Sequence, residues 1–144
     1  MNAAFSKQEQ TMISRTTVRN EQIEIGYHPA DQGNDTQDNI FLLSLSEVEK
    51  YFQSDKEREC SITEYAIAHH KNYTLDGSHR YGNECDWWLR SMGIGGYDSI
   101  SHGELNKANG NAMYIRTSGL VDKAGYYVFS EDGGVRPAMW IKIG

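Results

Sequence analysis

Two short blocks of the sequence constrain the fold more than any other feature. The first is Trp87-Trp88-Leu89-Arg90-Ser91, and the second, residues 134–141, reads Gly-Val-Arg-Pro-Ala-Met-Trp-Ile. Adjacent tryptophans are unfavourable unless a core or a ligand site uses them, because each ring has a large apolar area and an N–H that needs an acceptor. The stretch between the blocks is rich in Gly, Asn, Ser, Asp and Tyr. The sequence therefore predicts two framework strands that bracket a loop-rich surface, which favours a binding module over an enzyme.

The composition indicates one domain, residues 1–144, that buries its core with a few large rings. Of the 144 residues, 38% are hydrophobic and 11% are aromatic, and this length is sufficient for a core. The net charge is −6, with no run of like charge. Binding to nucleic acid or to an anionic membrane surface needs clustered Lys and Arg, so we expect neither. No apolar segment reaches the ~18–20 residues of a membrane span.

The amino-terminal residues show neither the basic start nor the apolar stretch of a secretory signal. We therefore expect a cytoplasmic chain, unless the sequence is part of a longer exported or phage protein. The two cysteines, Cys60 and Cys85, do not by themselves define a compartment. Without a signal we expect reduced thiols, and a disulfide is the alternative.

Local patterns predict short helices followed by strands, in an α+β domain. Ser-x-x-Glu capping boxes open three predicted helices, at residues 6–14, 46–52 and 61–70. Residues 28–39 are rich in Gly, Asn, Asp and Gln and predict a loop. Asn109-Gly110 and Ser118-Gly119 are turn signals. The predicted strands are residues 16–25, 40–45, 87–90, 112–117, 125–130 and 135–143.

The sequence resembles an uncharacterised family of bacterial and phage domains that is common in gut Firmicutes. The resemblance covers nearly the whole chain, from Ala4 to Ile143, and the pair of Trp-Trp-Leu-Arg-Ser and Gly-Val-Arg-Pro-Ala blocks is its most specific part. The other matching motifs, in order, are Phe41-Leu42-Leu43-Ser44, Tyr51-Phe52, Cys60, Thr63-Glu64-Tyr65-Ala66 and Cys85.

That family is in turn similar to C-type-lectin-like domains, the fold of formylglycine-generating enzymes and of the variable proteins of diversity-generating retroelements. The similarity implies a C-type-lectin-like fold with a mostly antiparallel twisted sheet, two or three short helices and long loops. Family members carry further strands and a Trp-containing helix before the segment Ala4-Phe5-Ser6. We expect that this chain is a truncated gene or a fragment, or that a partner supplies those elements. A sheet without its first strand exposes an edge, which favours a homodimer.

Four residues of the two blocks are predicted to be structural. An Arg beside an apolar strand is normally tied to a carboxylate or to backbone carbonyls, so Arg90 and Arg136 are expected to lock the ends of the sheet. Contact with a ligand is the alternative role for both. Trp87 and Trp140 are expected in the core. Trp88 points to the opposite strand face from Trp87 and is the better candidate for ligand contact.

The segment between the blocks contains the predicted binding surface. Alternation along residues 112–117 places Tyr114 and Arg116 on the face opposite Met113. Exposed Tyr, Phe and Arg among small polar loop residues are typical of adaptable binding surfaces. A tyrosine-rich face without a ligand is the alternative.

Further along, Tyr127 and Phe129 point outward if Val128 is in the core. Loop residues before the second strand add weaker candidates, among them Ser99 and His102. The complete set of predicted ligand-binding residues is Trp88, Tyr97, Asp98, Tyr114, Arg116, Tyr127 and Phe129.

No metal or other cofactor is predicted. Calcium needs several convergent oxygen ligands. The lectin-type triplets Glu-Pro-Asn and Trp-Asn-Asp are absent, and Asp122, Glu131 and Asp132 are scattered. Structural zinc usually needs tight pairs such as Cys-x2-Cys. The residues that lack this spacing, and are therefore not expected to bind zinc, are Cys60, His69, His70, His79 and Cys85.

No catalytic constellation is recognisable in the sequence. It contains no Ser-His-Asp order, paired-carboxylate motif or phosphate-binding glycine loop. Formylglycine-generating enzymes use a cysteine pair in the carboxy-terminal part of their fold, whereas Cys60 precedes a helix and Cys85 precedes the Trp-Trp strand. We therefore expect a non-enzymatic module whose surface, residues 91–133, binds a protein or a carbohydrate. The alternatives are an assembly module that oligomerises through its open amino-terminal edge and a thiol-based enzyme.

Overall fold

Short helices and antiparallel strands alternate along the described part of the chain, residues 5–25, 28–30, 33–69, 83–93 and 110–143 of the computed structural model. For residues 23–25 and 28–30 only the backbone is described. The mixed α+β class is therefore as predicted. The helices are α1 (Lys7–Met12), α2 (Leu45–Tyr51), α3 (Asp55–Arg58) and α4 (Glu64–His69). The strands are β1 (Ile13–Ser14), β2 (Thr16–Val18), β3 (Ile23–Ile25), β4 (His28–Ala30), β5 (Thr36–Asp38), β6 (Trp87–Met92), β7 (Asn111–Ile115), β8 (Val121–Tyr127) and β9 (Trp140–Ile141).

The largest sheet in the described residues has three strands in the order β6-β7-β8. β7 is central, and its register places Tyr114 opposite Trp88 on one side and opposite Asp122 on the other. Both pairings contain a register shift, which marks a bulge. A tight turn connects β7 to β8: the Gly119 N–H donates to the Arg116 carbonyl at 2.8 Å, and Gly119 has a φ of +79°. This turn agrees with the predicted Ser118-Gly119 signal.

One face of this sheet packs against α2 to form the core. The side chains of this core are apolar and buried, so each contributes about 1.5–3 kcal/mol through burial. The Trp87 indole N–H donates to the Arg58 carbonyl at 2.9 Å, which satisfies its one polar atom. The core consists of Leu45, Val48, Trp87, Leu89, Met113 and Ile115.

The amino-terminal helix α1 has the predicted capping box. Ser6 accepts a hydrogen bond from the Glu9 backbone, and the Glu9 carboxylate accepts one from the Ser6 N–H. The helix ends at Met12 rather than at the predicted residue 14. The reason is tertiary, because Ile13 and Ser14 leave the helix to pair with β9.

The predictions for residues 40–52 are partly wrong. Residues 40–45 do not form a strand, since Phe41 makes only an isolated bridge with Ala138 and Leu45 already belongs to α2. The cap of α2 is Ser44 rather than Ser46. Ser44 accepts from the Glu47 N–H and donates its own N–H to the Glu47 carboxylate. Two Ser-x-x-Glu boxes overlap here, and the chosen box lets Leu45 and Val48 face the core.

Several predicted strand boundaries are also wrong. The predicted strand 16–25 divides into β2 and β3, and the predicted loop 28–39 contains β4 and β5, which pair with β3 and β2 respectively. The last strand shrinks to β9, since Pro137 has no N–H to donate to a ladder. Strand β8 begins at residue 121 rather than at the predicted residue 125.

Two helices also differ from the prediction. Helix α3 was not predicted. Helix α4 begins at residue 64 rather than at the predicted residue 61, and the Ala66 N–H donates to Thr63 Oγ1.

Candidate functional site

The second face of the sheet carries a row formed by Trp88, Tyr114 and Asp122. The Trp88 and Tyr114 rings meet edge to face, with their centroids 6.2 Å apart. The Tyr114 hydroxyl forms a hydrogen bond with the Asp122 carboxylate. Burial, together with the negative charge of Asp122, raises the pKa of the Tyr114 phenol. The three side chains therefore form a packed layer, with Trp88 half-buried at its margin.

The expectation that Tyr114 is exposed is wrong, and its role in ligand binding stays a prediction. Its side chain is only 2% exposed. Burial does not alternate along β7, because it is the central strand and Met113, Tyr114 and Ile115 are all buried. A strand covered on both faces shows no alternation of burial.

Arg116 lies at the end of this row and is half-exposed. Its Nε and Nη2 atoms donate to Asp122 Oδ2 at 3.0 and 2.6 Å. Burial raises the pKa of Asp122, but hydrogen bonds from Arg116, the Gly125 N–H and Tyr114 outweigh it, so the pKa is lowered overall. The Arg116 charge at the surface is therefore balanced by an ionised Asp122, a partner that the sequence analysis did not identify.

An aromatic patch lies at the end of β8. It consists of the half-buried Tyr126 and the exposed Tyr127, Val128 and Phe129. The Tyr127 and Phe129 rings are stacked, with centroids 5.1 Å apart and an interplanar angle of 19°. Tyr126 meets Tyr127 edge to face at 5.7 Å. Tyr127 is 50% exposed and Phe129 is 79% exposed. Both rings therefore lie at the surface, at the predicted positions.

The reason given for their exposure is wrong, because Val128 is exposed rather than in the core. Residues 128 and 129 follow the last residue of β8 and form a turn, in which the Ser130 N–H donates to the Tyr127 carbonyl at 2.9 Å. The Val128 N–H donates to the Gly110 carbonyl at 2.6 Å and fixes the turn to β7. The patch is therefore held on the end of the sheet by backbone hydrogen bonds.

Among the described residues, the predicted ligand-binding side chains lie at two separate places on the sheet. Asn111 pairs with Tyr127, and Ile115, next to Arg116, pairs with Val121. Four residues of extended chain separate these pairs, a distance of roughly 13 Å. Trp88, Tyr114 and Arg116 thus lie at the opposite end of the sheet from the aromatic patch. Tyr97, Asp98, Ser99 and His102 lie outside the described residues.

Arg90 joins three segments of the chain through hydrogen bonds. Its Nη1 atom donates to the Leu42 carbonyl at 2.7 Å and to the Glu47 carboxylate, and Nη2 donates to the Arg19 carbonyl at 3.0 Å. Burial raises the pKa of Glu47, but the hydrogen bonds from Arg90 and from the Ser44 N–H lower it overall. Arg90 thus has both kinds of partner that were expected of it, a carboxylate and backbone carbonyls.

Arg136 makes different contacts, chiefly with aromatic rings. Its guanidinium lies over the Phe52 ring at 4.9 Å and over the Trp87 ring at 5.1 Å. Its Nη1 atom donates to the Arg58 carbonyl at 3.3 Å. The expectation for Trp140 is wrong, because this ring is 50% exposed on β9 rather than part of the core.

A pair of thiols, Cys60 and Cys85, lies beside Arg136. The two cysteines are not bonded to each other. The Cys60 thiol donates to the Ser61 carbonyl at 3.7 Å, and its sulfur also forms a hydrogen bond with the Cys85 thiol. This bond, assisted by the charge of Arg136 and opposed by burial, lowers the pKa of Cys60 to about 6. The same bond, with burial and the charge of Asp86, raises the pKa of Cys85.

The two sequence blocks, residues 87–91 and 134–141, both lie near the thiols. The Gly134 N–H donates to the Asp86 carbonyl at 2.6 Å, and the Trp88 N–H donates to the Gly134 carbonyl at 3.1 Å. A Cβ at Gly134 would lie 3.2 Å from the Cys85 sulfur. A side chain at position 134 would therefore crowd the Cys85 sulfur and the Asp86 carbonyl, which lies at the same 3.2 Å.

Two cavities among the described residues lie away from the aromatic patch. One of about 180 Å³ is bordered by Arg90, Ser91 and the segment 19–22. The other is an open groove of about 260 Å³ beside β9, lined by Phe41, Leu43, Glu47, Tyr51, Ala138, Met139 and Trp140. Among the described side chains there is no group of three or more His, Cys, Asp or Glu that could hold a metal ion. His70 and His79 lie outside those residues.

Comparison with known proteins assigns the chain to a family. Residues 1–143 match the model of DUF6273, described as a domain of unknown function, and the chain belongs to this family. No curated protein matches the sequence, and no solved structure matches it either. Within the described residues, no helix has the length and apolar character needed to span a bilayer.

Proposed function

We propose that this protein is a non-enzymatic binding module whose ligand contacts the aromatic patch. The observation that carries the proposal is the exposed stack of Tyr127 and Phe129 on the end of a three-stranded sheet. Exposed rings in contact with one another lose little conformational entropy when a ligand binds, because their positions are already restricted. The C-type-lectin-like character of the fold stays a prediction, and the proposal does not depend on it.

The chemistry of the patch favours a protein ligand over a glycan. Val128 and Phe129 have apolar side chains, and both are largely exposed. A sugar needs several hydrogen-bonding partners around a stacking ring, whereas an apolar side chain of a protein needs only contact area. We therefore infer that the ligand is a protein segment that presents an apolar side chain to Phe129.

Peptide phage display tests this proposal. The immobilised chain is panned against a random peptide library, and the affinity of enriched peptides is then measured by fluorescence anisotropy. Phe129→Ser should weaken binding at least about 10-fold, as expected for the loss of a central aromatic contact. Tyr65→Ser is the matched control, because Tyr65 is an exposed ring on α4, and it should leave the affinity unchanged.

A glycan array probed with the same three proteins distinguishes the two ligand classes. If wild type binds a glycan and Phe129→Ser does not, the aromatic patch is the binding site but the ligand is a glycan rather than a protein. Peptides that bind wild type and Phe129→Ser equally well, together with an empty glycan array, would overturn the proposed function.

Exposed apolar residues around β9 favour a second candidate, assembly with another copy of the chain. Trp140 and Ile141 are half-exposed, as is Met12, which precedes their partner strand β1. The apolar groove of about 260 Å³ lies directly beside Trp140. Contiguous apolar surface of this kind marks protein interfaces.

Light scattering over a range of concentrations tests the assembly. We expect a dimer mass for wild type and a monomer mass for Trp140→Ser, with Phe129→Ser retaining the wild-type mass. A monomer at every concentration would exclude this second candidate. The peptide measurements would be unaffected by that result, because they depend on Phe129.

A further inference from the structure

The thiol pair has the geometry needed to form a disulfide. Ser61 and Glu84 form an antiparallel bridge, and the Ile62 N–H donates to the Asn83 carbonyl at 2.8 Å. This register places Cys60 directly opposite Cys85, whose N–H donates to the Cys60 carbonyl at 2.9 Å. Opposite residues in antiparallel strands have Cα atoms about 4.5–5.5 Å apart, within the roughly 4.4–6.8 Å range of disulfides.

The two sulfurs differ in their access to solvent. Cys60 is half-buried and can meet a small molecule from outside, whereas Cys85 is only 4% exposed. When Cys60 is ionised, a hydrogen bond from the Cys85 thiol stabilises its thiolate, so the pKa of Cys60 is lowered and that of Cys85 is raised. Since a thiolate is the reactive form of cysteine, the accessible member of the pair is also the nucleophilic one.

Two charged groups near the pair act on the thiols, and one of them, Asp86, increases the difference between them. The Arg136 guanidinium lowers the pKa of both thiols, and Asp86 raises that of Cys85. Arg136 is held in place by the Phe52 and Trp87 rings. Three other charged residues, Arg58, Glu59 and Glu84, lie close to the pair along the chain. None of them contributes to the change in the pKa of either thiol.

We propose that Cys60 and Cys85 are a redox pair, in which Cys60 reacts with a hydroperoxide and Cys85 converts the product to a disulfide. In the first step the Cys60 thiolate attacks a peroxide oxygen. A sulfur–oxygen bond forms, the O–O bond breaks, and the departing oxygen takes up a proton as an alcohol or water. Cys60 is thereby oxidised by two electrons to a sulfenic acid, and the hydroperoxide is reduced. In the second step the Cys85 sulfur attacks Cys60, and the hydroxyl leaves as water with the Cys85 proton.

Hydrogen peroxide added to the full reduced chain tests the proposal. Stoichiometric peroxide should remove both free thiols, reduce the intact mass by two hydrogens and link the tryptic peptides that contain Cys60 and Cys85. Dithiothreitol should restore both thiols. Cys85→Ser should instead stop at the Cys60 sulfenic acid, which dimedone traps. Cys60→Ser should leave Cys85 unreacted, because that sulfur is buried.

The pH dependence of alkylation by iodoacetamide supplies a readout that a purely structural pair would not produce. In the folded chain the Cys60 rate should have its midpoint at about pH 6, and in guanidinium chloride at about 8.5. Cys85→Ala removes the hydrogen-bond donor and Arg136→Gln removes the charge, so each should move the folded midpoint upward. Arg136→Lys retains a charge and should move it less. Circular dichroism of each variant verifies that it is folded.

Two results would overturn the proposal. One is a folded Cys60 whose alkylation midpoint equals that of the unfolded chain. The other is peroxide treatment that leaves both thiols free, or that oxidises each cysteine separately without linking the two peptides.

Discussion

Arg90 and Arg136, each in one of the two sequence blocks, are the same residue type but make different contacts. Arg90 donates to two backbone carbonyls and to the Glu47 carboxylate. Arg136 lies over two aromatic rings and beside the thiol pair. The planar guanidinium serves both purposes, because its edge donates hydrogen bonds and its face stacks on rings. Replacing either residue by Lys would therefore lose contacts while keeping the charge.

Glu47→Gln should destabilise the protein by about 1–3 kcal/mol at neutral pH, the value of a hydrogen bond to a partly buried charged group. The pKa of Glu47 lies below its ordinary value of 4.5 in the folded state. Its stabilising effect is therefore complete above that value and is lost as the pH falls through the folded-state pKa. Urea unfolding at about pH 7 and pH 3 measures this, and the difference between variant and wild type should shrink at low pH.

Glu49→Gln is the control for this measurement. Glu49 and its partner Lys123 are both about half-exposed, with their charged atoms 3.1 Å apart. An exposed ion pair contributes about 0–1 kcal/mol, so the change should be small at either pH. Equal losses for the two variants would contradict the role assigned to Arg90 and Glu47.

At the scale of elements, the helices are short and their caps determine where they begin. Helix α2 has two overlapping Ser-x-x-Glu boxes, beginning at Ser44 and at Ser46. Local capping energies are nearly equal for the two, and the burial of Leu45 and Val48 selects the first. Tertiary burial thus determines a boundary that the local pattern leaves open.

Ser44→Ala should cost about 1 kcal/mol of stability, because it removes the side chain that accepts from the Glu47 N–H. Ser46→Ala is the matched control. The Ser46 hydroxyl contacts only Ser44 and Glu21 side chains among the described residues, and its loss should cost less than about 0.5 kcal/mol. Thermal unfolding followed by circular dichroism compares the two variants. A larger loss for Ser46→Ala would reverse the assignment of the cap.

Gly125→Ala should be strongly destabilising, by more than about 2 kcal/mol. Gly125 has a φ of +78°, and a Cβ there would lie 2.5 Å from the Ala112 carbonyl oxygen. Gly110→Ala is the control, since Gly110 has a φ of +66° but nothing within 4 Å of the added Cβ. It should cost only about 1 kcal/mol, from backbone strain alone. Similar urea midpoints for both variants would contradict the close approach of β7 and β8.

At the scale of the whole molecule, stability is concentrated around one sheet. The three-stranded sheet carries four of the six core residues, namely Trp87, Leu89, Met113 and Ile115. The other sheets in the described residues have two strands of two or three residues each. An isolated two-stranded ribbon is marginally stable in water, so these ribbons depend on the rest of the fold.

Hydrogen exchange of the native protein should reflect this distribution. The amides of Leu89, Met113 and Ile115 should exchange most slowly, through global unfolding, because they lie in the buried sheet. Amides of the β3–β4 ribbon should exchange much faster, through local opening. Mass spectrometry of peptic peptides measures both regions. Equal protection in β3–β4 and β7 would show that the ribbons unfold only with the core.

Much of the fold and part of the candidate surface could be predicted from the sequence. The capping box of α1 and the turn at Ser118-Gly119 follow from contacts between near neighbours. The rings of Tyr127 and Phe129 are exposed as predicted, although Val128 between them is exposed as well. The burial of Tyr114 could not be predicted, because it depends on which strand lies at the centre of the sheet. The ion pair between Arg116 and Asp122 likewise could not be predicted, because it depends on how β7 and β8 align on either side of their turn.

Local patterns in the sequence were enough to predict the α+β class and, within one turn, the starts of α1, α2 and α4. These features depend on local hydrogen bonding and on residue type. The tertiary structure was needed to show that both blocks meet around Cys60, Cys85 and Arg136, and that the described members of the predicted binding set lie at two ends of one sheet. The physical reason is that strand order, register and burial arise from contacts between residues far apart in the chain, which no local pattern specifies.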